Sequence, residues 1–541
     1  MTVTAPYKSQ AAPARTPGFR SLLLAEWTKL RTVRGFVIAL LLTVVLPVGF
    51  SILGHARCAI TVGNSGSTKT FACPNAPVGP DGTAVTDDFY FVHEALPADG
   101  SITAKVTGLS GAYPSNAQSS SNPGLLPVTQ PWEKAGIMIK ASVTQGSAYA
   151  AMLATGSNGV RMQWDYTGDT GGLPGKASAS SPRWLRLVRS GSVISGYDSL
   201  NGTTWTLVGR YDVPGLPATR TVQVGLFAAS PSEQSNSPAF CHAGMCYDGG
   251  TLATGTFANV SATGASGAWT GTTIGSSNGP TVPGMTIPNG NVFNGSYHQG
   301  GPASFTVTGS GEIGPDVPGG PDGVGSPVKF ALASLFLAQL VAIIVAALFI
   351  TAEYRRGMIR VTLAAAPSRA RVLAAKSVVI FLATFVASLV AAAITLPFAL
   401  HLLRSGGNPV DPIPVLTQVR MVTGTALLVA FSAVLALGIA VMTRRGIFAI
   451  PAVIVAIFIP YLLTTGSGLL GQTVQEWLLR LLPVAGYSVQ QAYPVYHQVI
   501  APYSAMNGYY PLAPWAGLGV LVLWTAVALA GAAWLLRRRD V

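Results

Sequence analysis

Six long stretches of this chain carry no acidic or basic side chain in their interiors, and they decide most of what it can become. They cover residues 36–53, 328–351, 377–400, 421–442, 447–466 and 515–536, with Lys329 at one edge as the lone exception. A helix needs roughly 20 residues to cross a hydrocarbon core of about 30 Å. A 541-residue chain that is 49% hydrophobic and 10% charged is too apolar for a soluble protein. The expected fold is a membrane all-α bundle of six transmembrane helices, with an all-β sandwich inserted between helices one and two.

The formal charge of +13 does not point to nucleic acid, because of where it sits. Lys8, Arg15, Arg20, Lys29, Arg31 and Arg34 precede the first span, and Arg355, Arg356, Arg360, Arg369, Arg371 and Lys376 crowd the connection between spans two and three. Arg444 and Arg445 join spans four and five, and Arg537, Arg538 and Arg539 close the chain. Basic residues collect on the cytoplasmic side of membrane proteins, so an even number of spans places both termini inside a cell membrane. Anionic lipid is a natural partner for these charges. The first apolar run follows a long basic leader without a convincing cleavage site and reads as a retained span. Residues 1–16 read as a disordered cytoplasmic tail. In residues 17–35, Leu23, Trp27 and Leu30 recur at helical spacing with Glu26, Lys29 and Arg31 on other faces. This is the pattern of an interfacial amphipathic helix, with Ser21 as its cap and Trp27 at headgroup depth.

After residue 53 the composition turns to Gly, Ser, Thr, Asn and Pro. Short apolar runs between turn signals predict strands at 101–106, 135–140, 148–154, 160–164, 184–189, 193–199, 205–211 and 221–228, with Asn201-Gly202 as a tight turn. The sandwich is expected over 86–262, and residues 263–327 read as a Gly/Ser/Pro-rich linker with one strand at 303–308. All four cysteines, Cys58, Cys73, Cys241 and Cys246, fall in this outward segment, which favours disulfides over metal. Of three connectivities, the short loops favour Cys58 with Cys73 within an outer segment, 54–85, and Cys241 with Cys246. Asp165, Asp169 and Asp198 have no diagnostic calcium spacing. Residues 467–514 contain a helix pattern at 475–482 ended by Pro483, then Tyr487, Tyr493, Tyr496, Tyr503, Tyr509 and Tyr510. Tyrosine favours the membrane interface, so this stretch is read as a re-entrant gate or a passive belt.

Two motifs taken together carry a family resemblance. Glu26-Trp27-Thr28-Lys29-Leu30-Arg31 precedes the first span, and Glu353-Tyr354-Arg355-Arg356-Gly357-Met358 follows the second and leads to Ala366-Pro367-Ser368-Arg369. The order resembles bacterial ABC exporter permeases of the type 2 class, as found in actinobacteria, over the membrane half of the chain. The resemblance implies a connecting helix on the membrane at Glu26, Trp27, Lys29, Leu30 and Arg31. It also implies a coupling loop, 352–376, in which Glu353, Tyr354, Arg355, Arg356, Met358, Ile359 and Arg360 meet an ATPase. Met358, Ile359, Val361 and Leu363 form an apolar ridge, the arginines offer donors for carboxylates, and Arg356 or Arg360 is the expected partner of Glu353.

The chain has no phosphate-binding loop of its own. Gly63-Asn64-Ser65-Gly66-Ser67-Thr68-Lys69-Thr70 lacks the glycine before lysine and lies on the wrong side of the membrane. No cofactor is expected in this chain; ATP and magnesium belong to a separate cytoplasmic ABC ATPase, with a second permease copy or a homologous half as the other partner. Uncharged spans argue against proton or sodium coupling and suit a lipophilic or amphipathic cargo. Pro397, Pro451 and Pro460 are either hinges or packing features.

The outward segment resembles concanavalin or laminin-G jelly rolls through Trp132-Glu133-Lys134-Ala135-Gly136, Arg183-Trp184-Leu185-Arg186 and Gly202-Thr203-Thr204-Trp205. That resemblance implies contact with cell-wall glycan, for which Trp132, Trp164, Trp184 and Trp205 are candidates. Two other functions follow from it: a membrane-anchored glycan-binding or sensing protein, and a membrane-bound glycosidase, although the paired carboxylates of the latter are not evident.

Overall fold

The computed structural model describes residues 18–53, 59–64, 67–72, 76–97, 99–114, 125–232, 241–242, 245–246, 251–275, 295–318, 328–366, 368–408, 410–465, 470–501 and 503–538. Several apolar helices form one part and a β-sandwich the other. The helices are α1 (Phe19–Thr32), α2 (Arg34–Leu53), α3 (Leu335–Arg355), α4 (Met358–Ala365), α5 (Arg369–Ser405), α6 (Val415–Thr443), α7 (Gly446–Thr465), α8 (Gln472–Leu481) and α9 (Pro514–Arg538). Among the described residues six of them, α2, α3, α5, α6, α7 and α9, are long and apolar enough to cross a membrane. The 37 residues of α5 extend about 55 Å, well beyond a hydrocarbon core.

α6 is the centre of the bundle, packed against α3, α5, α7 and α9. α2 lies at the edge and leaves Ile38, Leu41, Val45 and Phe50 exposed, as a lipid-facing helix would. Between α8 and α9 the 3-10 segment Pro483–Gln490 is buried along its whole length against α6, α7 and α9. It inserts into the bundle, where the Tyr487 hydroxyl donates to Gln339 Oε1 (2.5 Å) and Gln339 Nε2 to Ser432 Oγ (2.8 Å). Gly517 permits the close approach of α9: a Cβ there would lie 2.3 Å from the Ala485 carbonyl oxygen.

The sandwich is antiparallel throughout. One sheet runs Gly168–Gly171, Val160–Trp164, Tyr149–Thr155, Lys134–Lys140, Val222–Ala229, Phe89–Leu96, Ser266–Ile274. The other runs Thr206–Asp212, Val193–Ser199, Arg183–Ser190, Gly100–Pro114, Leu252–Thr263, Ser304–Gly309, Ser296–Gly301, with Leu125–Val128 beside Gly100–Pro114. Strict alternation explains the packing. Leu185 and Leu187 point inward to meet Ile137, Ile139 and Leu226 of the facing sheet, while Trp184, Arg186 and Val188 face out. The expected linker over 263–327 is corrected: Ser266–Ile274, Ser296–Gly301 and Ser304–Gly309 are integral strands of the two sheets. The strand expected at 303–308 is Ser304–Gly309, with Phe305 and Val307 buried; frequent Gly and Ser masked Ser266–Ile274 and Ser296–Gly301.

The seven-stranded sheet buries its second face as well. A ribbon of Val85–Asp87 paired with Ile313–Pro315 lies over Phe89, Phe91, Met138, Tyr149 and Phe227. Under it Lys140 Nζ reaches Asp87 Oδ2 (2.8 Å), with both side chains fully buried, and the Tyr166 hydroxyl donates to the same oxygen (2.8 Å). The ribbon rests on the near end of the bundle. Ala84 N donates to Asp411 Oδ1 (2.6 Å), Gln498 Nε2 donates to the Thr167 carbonyl (3.2 Å), and Val317 packs with Val499 and Tyr509. Tyr493, Tyr496 and Tyr503 join that last cluster, so these tyrosines pack between the two parts of the molecule instead of forming an interfacial belt.

Asn201-Gly202 makes its turn with Gly202 at φ +77°, and Asn201 Oδ1 accepts from the amides of Thr203 and Thr204 (both 2.9 Å). Cys58 and Cys73 lie outside the described residues; they flank a hairpin, Ala59–Asn64 with Ser67–Ala72, whose terminal residues Ala59 and Ala72 pair. Backbone register sets Cys241 opposite Cys246.

Candidate functional site: a buried charge ring behind an exposed helix

The densest polar arrangement in the helical part lies at the end of the bundle far from the sandwich. Gly357, in the left-handed region at φ +66°, breaks the chain between α3 and α4. α4 is thereby set as a separate two-turn helix on the bundle's end. It keeps Ile359 buried and leaves Met358 and Val361 exposed, the latter 72% accessible. Arg355 and Arg356 beside it are exposed. Ile359 is thus a packing residue and not part of an outward ridge, while the side chains of Arg360 and Leu363 lie outside the described ones.

Behind α4 four side chains from three helices close a ring. Lys376, from the second turn of α5, is 1% accessible and donates to Glu26 Oε2 of α1 (2.8 Å) and Glu353 Oε1 of α3 (2.6 Å). Lys29 donates to Glu26 Oε1 and Glu353 Oε1, each at 3.0 Å. Phe349 backs the ring, its centroid 5.0 Å from Lys376 Nζ. Burial pulls the half-exposed Lys29 ammonium down, but the Glu26 and Glu353 carboxylates outweigh it and hold it above the ordinary lysine value. Glu353 Oε2 is buried and has no hydrogen-bond partner among the described residues.

The ring corrects one expectation. The partners of Glu353 are Lys29 and Lys376, and Arg356 points to solvent. Lys376, which the sequence placed at the end of the coupling loop with no role of its own, is the residue that was missed. Its signal was its position between Ala375 and Ser377 at the threshold of an uncharged run, where a lysine cannot stay without a carboxylate. In α1 the buried residues are Glu26 and Leu30, with Trp27 45% accessible. Ser21 does not cap that helix: its hydroxyl donates to the Gly18 carbonyl, and Gly18 holds the cap position. Arg369, at the start of α5, donates to the Leu536 carbonyl of α9, and the Arg444 guanidinium lies 5.9 Å from the Tyr354 ring. Ile359 of α4 belongs to the apolar cluster that also holds Leu30, Ile350, Leu373 and Leu536, so a displacement of α4 bears on α1, α3, α5 and α9.

The sandwich separates the four tryptophans. Trp132 is buried under Arg161, and Trp164 stacks on Tyr211 at 3.5 Å between the sheets. Trp184 and Trp205 are half-buried on the eight-stranded sheet. Asp169 is paired with Arg161 and Asp198 with Arg183, while Asp165 accepts from the Tyr149 amide (3.3 Å). Among the described residues no group of three potential ligands gathers around a metal position.

A family model described as ABC-2 family transporter protein matches residues 142–541, from the strand Tyr149–Thr155 onward through α3 to α9, with α1 and α2 outside it. The chain belongs to the ABC-2 family. No curated protein matches this ABC-2 chain. Solved structures similar to part of this chain include a functionally unknown protein from Saccharomyces cerevisiae, at 15% identity over 39% of this chain and 95% of that one, with a TM-score of 0.20. Scytalido-glutamic peptidase with a transition state analog inhibitor is another, at 9% identity over 42% of this chain and 99% of that one, with a TM-score of 0.24.

Proposed function

We propose that this ABC-2 protein is the permease subunit of an ATP-driven exporter, working as a dimer with a second copy or a homologous half. It spans the membrane six times with both termini in the cytoplasm. The sandwich stands outside between the first two spans, and two local disulfides, Cys58–Cys73 and Cys241–Cys246, hold its hairpins. A separate cytoplasmic ATPase, which binds ATP and magnesium, docks on α4.

The observation that carries this reading is α4 itself. An eight-residue helix that exposes Met358 and Val361, with the exposed Arg355 and Arg356 just before it, has an apolar knob and a cationic flank, the anatomy of a protein-docking element. Behind it a charge ring ties α1, α3 and α5 together, and Ile359 of α4 sits in the apolar cluster that also holds Leu30, Ile350 and Leu373 of those helices, so force applied to α4 reaches the spans. Uncharged span interiors support a lipophilic or amphipathic cargo moved by alternating access.

Met358→Asp with Val361→Asp is expected to abolish co-purification of the ATPase while the permease still folds and inserts. Arg355→Glu with Arg356→Glu is expected to weaken the same complex in a salt-sensitive way. Undiminished ATPase recruitment and export in both double variants would overturn the assignment.

A further inference from the structure

The eight-stranded sheet of the sandwich turns its outer face away from the bundle, and that face carries unpartnered cations set against aromatic rings. Trp184, Arg186 and Val188 alternate outward along one strand. Directly paired residues share a face, which places Lys105 opposite Trp184, Thr103 and Tyr197 on either side of Arg186, and Ser195 between Val188 and Arg210. The Arg186 guanidinium lies 4.0 Å from the Trp205 ring, and Lys105 Nζ lies 5.7 Å from that of Trp184. Arg186 Nε donates to Thr103 Oγ1 (3.1 Å), while its two Nη groups, the Lys105 ammonium and the Arg210 guanidinium have no hydrogen-bond or ion-pair partner among the described residues. Asp212 shares the face only at its corner, opposite Val193.

The geometry points to this face as a binding surface for an anionic polysaccharide, a sugar polymer bearing carboxylate or phosphate groups. The open Nη edge of Arg186 matches a two-oxygen anion, and Lys105 and Arg210 extend the positive charge across neighbouring strands. The half-buried rings of Trp184 and Trp205 offer flat apolar surfaces to the CH faces of pyranose rings, with threonine and tyrosine hydroxyls beside them. Lys105, Arg186 and Arg210 are spread over three strands of the sheet, so an occupant that meets all of them is extended. The opposite side of the sandwich, through its ribbon, rests on the bundle, so this face is directed away from the bilayer and not at lipid headgroups. Binding of this kind is independent of transport and of ATPase docking.

The test uses the full chain in lipid nanodiscs passed over immobilised polygalacturonate, phosphomannan and dextran, at low and high salt. The protein is expected to be retained by polygalacturonate, phosphomannan or both, and released by salt; which of the two retains it separates carboxylate from phosphate recognition. Dextran is expected to pass it through. Lys105→Gln, Arg186→Gln and Arg210→Gln should each weaken retention about tenfold, and Trp184→Ala with Trp205→Ala should abolish it. Lys105→Gln with Arg210→Gln leaves the Arg186–Trp205 stack in place, so its loss of binding at an unchanged melting temperature reports on charge and not on folding. Retention by dextran equal to that by the charged polymers, undiminished binding by the variants, no binding to any polymer, or equal capture by phosphatidylglycerol vesicles or double-stranded DNA would each overturn the proposal.

Discussion

Lys376 shows how one side chain sets the local rules. It is fully enclosed and serves two carboxylates, so removing its charge leaves Glu26 and Glu353 facing each other at low dielectric with only Lys29 between them. Lys376→Met is expected to lower stability by about 3–5 kcal/mol, the usual cost of leaving buried charge unpaired. Lys29→Met is expected to cost under about 1 kcal/mol, because its side chain is 34% accessible and water screens its pairs. Neutralising the ring as a whole, with Glu26→Gln, Glu353→Gln and Lys376→Met, should destabilise less than Lys376→Met alone. Thermal unfolding of the purified variants in detergent measures all three, and equal losses for the two lysine variants would count against the ring. Sequence placed Glu26, Lys29 and Glu353 in functional segments but paired Glu353 with its helical neighbours, since spacing along one helix is visible in a sequence and its contact with Lys29, 324 residues away, is not.

Between elements, the contact of the sandwich with the bundle carries a pH dependence. Asp411, in the loop between α5 and α6, is pushed up to about 6 by burial, against the lowering effect of the Ala84 amide and Arg404, with Asp81 adding repulsion. Asp165, beside Tyr166 on the same interface, is also pushed up to about 6 by burial; Asp81 raises it further, while the Tyr149 amide and Lys140 oppose the shift. Both folded values lie above the ordinary aspartate value of 3.8. The docked state therefore holds extra protons, so its stability is greatest below about pH 4, falls as pH rises to about 6 and then levels off. Hydrogen exchange at residues 84–87, corrected for intrinsic rates, should show greater protection at the acidic end, and Asp411→Asn should flatten the profile. At the buried 3-10 segment, Tyr487→Phe removes the donor to Gln339 Oε1 and should cost about 1–3 kcal/mol in the same unfolding assay. Neither contact was legible beforehand: the tyrosine-rich stretch announced an interface, but only the fold reveals that the surface it meets is largely protein.

Across the whole molecule, the legible parts were those with a strong period. Uncharged runs marked the long helices; alternation marked Arg183–Ser190 and Val193–Ser199, which have one face in the core and one outside, while Lys134–Lys140, Tyr149–Thr155 and Val222–Ala229 were legible as short apolar runs because both of their faces are buried. Of the strands after residue 263, Ser304–Gly309 was anticipated at 303–308, whereas Ser266–Ile274 and Ser296–Gly301 were missed because their inward residues are few and glycine interrupts them. The layering that results has a mechanical consequence. Ribbon residues 84 and 317 grip two separate loops, one after α5 through Asp411 and one before α9 through Val499 and Tyr509, while the far ends of α5 and α9 are tied by Arg369 to the Leu536 carbonyl. If α4 drives α5 and α9 apart at the sandwich end during export, the contact between Ala84 and Asp411 must open. Ala84→Cys with Asp411→Cys should therefore form an oxidisable clamp that stops export while ATPase recruitment stays normal, with export returning on reduction. Export unchanged by a fully formed crosslink would mean that the sandwich and the loop before α6 move as one body, and the opening would have to occur elsewhere among the helices.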